Sequence, residues 1–153
     1  KNRSIKANSD MSVATKRGRG GFAFAKLLGV LILLGVETTD DETSADWMAG
    51  KLARLRIFKD EQDRMNRSVQ EAGGEVLLVS QFTLLGNTAK GNRPSFIQAA
   101  EPVLGETLYE RVALQLRDAH DLDVKTGVFC AMMQVQLVND GPVTLIVNTP
   151  PSG

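Results

Sequence analysis

Few side chains in this sequence suit conventional acid–base or nucleophilic work. There is one cysteine, Cys130, and one histidine, His120. A single histidine argues against His-based triads and His clusters. A single cysteine excludes an internal disulfide framework and a Cys-rich zinc site. Cys130 sits in the apolar run VFCAMM with no His or Lys beside it, which reads as a buried structural thiol on a strand. His120, in RDAHDLD, follows a charge-rich helical stretch, where a cation suits a helix C-terminus. The carboxylates show no metal-ligand spacing, so neither a metal nor another cofactor is expected.

Two polar stretches embedded in apolar sequence draw more attention. Residues 75–85, EVLLVSQFTLL, read as a buried strand interrupted by Ser80, Gln81 and Thr83. Such groups must be hydrogen-bonded or directed into a pocket, and the sequence leaves both readings open. Asn139-Asp140-Gly141-Pro142, between apolar runs, is a strong turn signal. An X-Pro bond there can be cis, although most in folded proteins are trans.

Elements must hold these stretches in place. Residues 22–36 contain a continuous apolar run with Val and Ile, which predicts a central strand buried on both faces. Residues 45–56 read as a helix capped by Ser44, with Trp47, Met48, Leu52 and Leu55 on its apolar side. A short strand begins at Ile57-Phe58, residues 59–67 are a charged connection, and Gly73-Gly74 is a turn. Residues 86–94 form a loop, and Ser95 caps a short helix reaching Ala100. Pro102 opens a longer helix to about Ala119, with Val103, Leu104, Leu108, Val112 and Leu116 as its stripe. Residues 124–138 hold one or two strands, and residues 143–147 another. The alternation predicts an α+β fold with mainly antiparallel or mixed β-sheets and two main helices.

The chain has 153 residues, 42% of them hydrophobic and 24% charged, which fits one domain with a real core. Formal net charge is zero, which argues against an electrostatic coat for nucleic acid. The charge is uneven: Lys1 to Lys26 holds seven basic residues and only one acid, Asp10. Residues 1–21 are therefore expected to be a weakly structured, basic N-terminal arm on a single domain over residues 22–153. Residues 27–36, LLGVLILLGV, are too short for a membrane helix and lack a signal-type cleavage site, so a buried strand is the better reading.

Ser80-Gln81-Phe82-Thr83-Leu84 and Asn139-Asp140-Gly141-Pro142-Val143-Thr144 together resemble the D-aminoacyl-tRNA deacylases. Lys90-Gly91-Asn92-Arg93-Pro94-Ser95-Phe96 lies between them and is also similar to that family, as are residues 30–37 and 127–144. The resemblance covers about residues 29–147. Two departures are visible. Lys1 to Phe22 shows neither of the family's early strand runs, and Cys130 stands where the family commonly has glycine.

The resemblance implies a barrel-like arrangement of the sheets and a cytoplasmic homodimer. It implies hydrolysis of the ester between a D-amino acid, or mischarged glycine, and the terminal ribose of tRNA. Ser80, Gln81, Phe82 and Thr83 would be the catalytic segment. Gly141 and Pro142, in cis form, would enter the partner's pocket and exclude L side chains. Phe96, Phe129, Met132 and Met133 are candidates for the pocket wall, with core packing as the alternative for each. Lys90 and Arg93 would meet tRNA phosphates, or face solvent. The scarcity of acid–base groups suits catalysis assisted by the ribose 2′-hydroxyl; an attack by Thr83 itself is the competing account. Two other functions remain: a related deacylase of L-aminoacyl errors, and a non-catalytic RNA-binding or dimerisation module.

Overall fold

The computed structural model describes residues 5–15, 25–139 and 143–150, with side-chain environments from residue 29 onward. Eight strands and two α-helices occur among them. They are β1 (Ile5–Thr15), β2 (Ala25–Leu34), α1 (Glu42–Ala53), β3 (Phe58–Lys59), β4 (Met65–Arg67), β5 (Glu75–Ser80), α2 (Pro102–Asp118), β6 (Val124–Thr126), β7 (Val135–Gln136) and β8 (Thr144–Val147).

The main sheet runs β6-β5-β2-β1-β7, with β8 also paired to β1. Pairing is mixed. β2–β5 and β5–β6 are parallel, whereas β1 is antiparallel to β2, β7 and β8. The expected mixed sheet with two helices is thus present, and among the described residues the strands form an open sheet rather than a closed barrel.

Burial on both faces explains the apolar strands. Val30, Ile32 and Leu34 of β2 and Val76 and Leu78 of β5 pack into the larger core with α1 and α2. The alternate residues Leu31, Leu77 and Val79 form a smaller cluster with Leu33 and Leu137 on the other face. A period of two sends neighbours to opposite faces, so a strand covered on both must read as an unbroken apolar run.

Helix α1 buries Ala45, Met48, Ala49, Leu52 and Ala53, the i, i+3, i+4 stripe of a helix lying on a sheet. Trp47, expected on that stripe, is partly exposed. The cap also differs from expectation. Asp41 is extended, and its Oδ1 accepts the Ser44 N–H at 2.9 Å, so Ser44 lies inside the helix. That bond holds the Asp41 carboxyl below the usual carboxylate range.

Helix α2 begins at Pro102, as predicted, and buries Leu108, Tyr109, Val112, Ala113 and Leu116. Val103 falls off that face and is exposed. Arg111 joins the helices, donating to both carboxylate oxygens of Asp46 at 2.8 Å and pairing with Glu42 at 2.8 Å. The Arg111 hydrogen bonds hold the Asp46 carboxyl below its ordinary value.

Four local expectations need correction. Residues 5–15, assigned to a weakly structured arm, form β1, because their backbone is hydrogen-bonded on both sides by β2 and by β7 and β8. The strand over residues 75–85 stops at Ser80, and a 3-10 turn, Phe82–Leu85, follows. Ser95 starts no helix; it exchanges backbone hydrogen bonds with Asn87 at 2.8 and 2.9 Å. Cys130 is not a buried strand residue. It is exposed, in a turn, at φ +55°, a left-handed conformation that favours glycine.

Candidate active site

The parallel strands β2 and β5 run side by side, and Ser80 is paired in register with Leu34 at their C-terminal ends. Beyond Ser80 the polar interruption acts as a stop signal. Gln81 leaves the sheet after donating its N–H to the Leu34 carbonyl at 2.8 Å. Its own carbonyl then accepts the Leu84 N–H, and the Thr83 carbonyl accepts the Gly86 N–H at 3.1 Å. Phe82 and Thr83 therefore head the 3-10 turn, where backbone N–H groups have no partner within the turn itself.

The turn is wedged between two glycines. A Cβ at Gly35 would lie 3.3 Å from the Gln81 carbonyl oxygen. A Cβ at Gly86 would lie 2.9 Å from a ring carbon of Phe96 and 3.0 Å from the Thr83 carbonyl oxygen. Phe96 meets Phe82 edge-on, with ring centroids 5.1 Å apart and planes at 70°. Phe82 remains 55% exposed.

The Gln81 side-chain amide donates to Thr83 Oγ1 at 2.5 Å. An amide donor orients the hydroxyl but takes no proton from it. Among the described residues, no carboxylate or imidazole is hydrogen-bonded to Thr83. What the segment can offer is a set of oriented backbone and side-chain dipoles, suited to stabilising a developing oxyanion.

The expected wall residues do not share one surface. Phe129 packs on the helix side of the sheet, 6.0 Å from the Tyr109 ring and 3.3 Å from where a Cβ at Gly105 would stand. Met133 lies on the other side. Its sulfur accepts the Val128 N–H at 3.4 Å and would be 3.0 Å from a Cβ at Gly127, beside Val79. Met132 is fully exposed. Lys90 and Arg93 are exposed on the loop that the Asn87–Ser95 pair closes, with Gly91 at φ +68°. Gly141 and Pro142 lie outside the described residues.

One organising residue escaped the sequence reading. The buried Tyr109 hydroxyl donates to the Leu78 carbonyl at 2.9 Å, with the Gly127 carbonyl 3.4 Å away. It thus pins β5 two residues before Ser80 and touches the segment leading to Phe129. Burial pushes its pKa up to about 12. Its position between Leu108 and Val112 on the α2 stripe was the available signal.

A small cavity of about 30 Å³ lies behind Gly35, lined by Leu34, Val36, Met48 and Leu108 among others. It has room for a water molecule, not for an aminoacyl group. Among the described residues, no three His, Cys, Asp or Glu side chains gather where a metal ion could sit. No helix among them is long and apolar enough to cross a membrane.

The mixed α/β fold thus sets a polar segment at the ends of two parallel strands, and among the described residues that segment offers backbone amides rather than ionisable groups. Comparison with known proteins places it. Residues 25–148 match the family model described as D-Tyr-tRNA(Tyr) deacylase, and the chain belongs to that family. A D-aminoacyl-tRNA deacylase of Symbiobacterium thermophilum is 54% identical over 121 residues, 79% of this chain and 80% of the relative. Among solved structures, a c-Myc DNA Unwinding Element Binding Protein is similar at 33% identity and a TM-score of 0.84, covering 96% of this chain and 98% of that one. A probable eukaryotic D-amino acid tRNA deacylase is similar in fold, with a TM-score of 0.77 at 18% identity, over 94% of this chain and 98% of that one.

Proposed function

We propose that this protein hydrolyses the ester linking a D-amino acid, or mischarged glycine, to the terminal ribose of tRNA. The observation that carries the reading is the 3-10 turn at Phe82–Leu85, in a chain of this family, which presents backbone amides and no general base. In this account the ester carbonyl lies against the Phe82 and Thr83 amides, Ser80 and Gln81 shape the approach, and the ribose 2′-hydroxyl assists the chemistry. The bond from Gln81 fixes the Thr83 hydroxyl without activating it, which favours this route over attack by Thr83.

Selection would come from a homodimer, with a barrel-like closure of the sheets across the pair. Gly141 and Pro142 of one subunit, with a cis peptide between them, would enter the other's pocket. Rigid backbone there would hold the amino group and exclude an L side chain. Met133 and the surface near Met132 would contribute to the wall, whereas Phe129, on the helix side of the sheet, would pack in the core. Lys90 and Arg93 would meet phosphates of the acceptor end, and the setting would be the cytoplasm.

The test is release of D-tyrosine from D-Tyr-tRNA, run beside L-Tyr-tRNA. Release from the D substrate alone is expected. Release from the L substrate alone would favour the relative that clears L-aminoacyl errors. Retained tRNA binding with no release from either would favour a binding module.

A further inference from the structure

We propose that Phe96 is a positioning residue: acting through Phe82 and Gly86, it holds the Phe82–Thr83 amides in their working orientation. The proposal rests on the deacylase reading for its kinetic consequence, and on geometry for the rest.

A four-residue 3-10 turn has little stability of its own, because its hydrogen-bond geometry is poor, and the two bonds here are 3.3 and 3.1 Å long. This one is held by the Gln81 N–H on the Leu34 carbonyl, by the buried Leu85 side chain, by close packing at Gly35 and Gly86, and by one ring contact. On one side, Gln81 and Leu84 pack over Gly35. On the other, the Phe96 ring covers Gly86, closely enough that a Cβ there would stand 2.9 Å from the ring. The same ring meets Phe82 edge-on at 5.1 Å. Phe96 thus touches the residue at each end of the segment that carries the two amides.

Phe96 is itself held from both flanks. Ser95 exchanges two backbone hydrogen bonds with Asn87. Downstream, Ala99 N–H donates to the Phe96 carbonyl at 3.0 Å, Gln98 accepts from Thr38 at 3.0 Å, and Ala100 donates to Val36 at 2.9 Å. The ring is therefore anchored to β2's continuation, and the turn rests on the ring. The loop carrying Lys90 and Arg93 is closed by the same Asn87–Ser95 pair, so a load on that loop reaches Phe96 directly.

This assignment differs from a wall residue in what it predicts. A ring that contacts substrate changes KM when removed. A ring that orients the amides changes kcat, since small misplacements of oriented groups are costly to the chemical step. Phe96→Leu keeps apolar bulk and loses the edge-on contact. Expected is a fall in kcat of about tenfold on D-Tyr-tRNA with KM within about twofold. Phe96→Tyr, which keeps the ring, should restore kcat. Backbone amide exchange gives a readout independent of activity. In Phe96→Leu, exchange at the two hydrogen-bonded amides of the turn, Leu84 and Gly86, should speed up by about tenfold, while Leu78 in β5 stays protected. Unchanged kcat and unchanged exchange at the turn would overturn the proposal, as would a rise in KM with kcat intact. Faster exchange throughout β5 would also overturn it, in favour of a general packing role. If Phe96→Leu does not fold, Phe96→Met is measured by the same criteria. A wild-type protein without deacylase activity would sink the deacylase reading, and the exchange comparison would then decide the positioning role alone.

Discussion

The two sides of the sheet are built to different standards. On the helix side, Ile32, Leu78 and Leu116 are at most 1% exposed, and α1 and α2 close over them. On the other side, the smaller cluster of Leu31, Leu77 and Val79 has only partial cover, from Leu33 and Leu137. Between and beyond them, the segment from Val128 to Val138 leaves Val128, Met132, Met133, Val135 and Val138 in contact with solvent. One half supplies stability and the other is free to present groups. The proposed site lies where they meet, with Ser80 at the end of the parallel strands and the Phe82 and Thr83 amides on a short turn.

That contrast can be broken first at its strongest point. Leu78→Ala removes a side chain with 0% exposure and should cost about 2–5 kcal/mol, read by denaturant unfolding. Met132→Ala on the open side should stay within about 0.5 kcal/mol. Equal losses would show that the open side carries core load.

Tyr109→Phe tests the pin between the halves. It deletes one buried hydroxyl bond and should cost about 1 kcal/mol. It also has an alkaline signature. The tyrosine hydroxyl titrates at 10.0 unfolded and about 12 folded, so the unfolded chain loses its proton first. Stability from this group is whole below pH 10 and drains away as pH rises toward 12. Urea midpoints followed across that window should fall in the wild type and flatten in Tyr109→Phe.

Acid probes the helix side from outside. Asp46 and Asp41 have lowered pKa values, through the Arg111 hydrogen bonds and the Ser44 N–H respectively. Their contribution is present above the ordinary carboxylate range and is lost as pH falls through it. Asp46→Asn should shrink that acid-side loss, as measured by thermal melts between neutral and acidic pH.

The smallest effect expected is at Thr83. Thr83→Ala should fold normally and retain most of the deacylation, because the hydroxyl's neighbour is the Gln81 amide, which donates to it, and no base among the described residues is hydrogen-bonded to it. Complete loss of activity in a folded variant would make Thr83 the nucleophile.

How much of this the sequence disclosed depended on what each residue answers to. The run LLGVLILLGV disclosed β2, because two-sided burial leaves no polar residue to confuse the pattern. Pro102 disclosed the start of α2 because it tolerates that position and few others in a helix. Residues 5–15 were missed since IKANSDMSVAT alternates apolar and polar residues only weakly, and strand character there comes from partners distant in sequence. In the site, the polar break at Ser80 was visible, but not that it ends the strand. Both readings satisfy buried polar groups, and only the Leu34 carbonyl waiting for the Gln81 N–H separates them. Cys130 was misjudged because hydropathy is blind to a left-handed backbone. The resemblance supplied what spacing could not, namely the expectation that two polar stretches 55 residues or more apart serve one chemistry.

The central strand β1 has a further consequence for how the protein is made. Its register runs Ile5 against Val147 and Asn8 against Thr144, so a strand synthesised early is hydrogen-bonded to one synthesised more than 130 residues later. At about 5–20 residues per second, β1 waits on the order of ten seconds with one edge unpaired. The β2–β5–β6 parallel core can assemble during that interval, but this sheet is completed only once residues 144–147 have emerged. A ribosome that stalls before Thr144 therefore carries a nascent chain with an open strand edge, and such a chain is a natural client for a holdase chaperone.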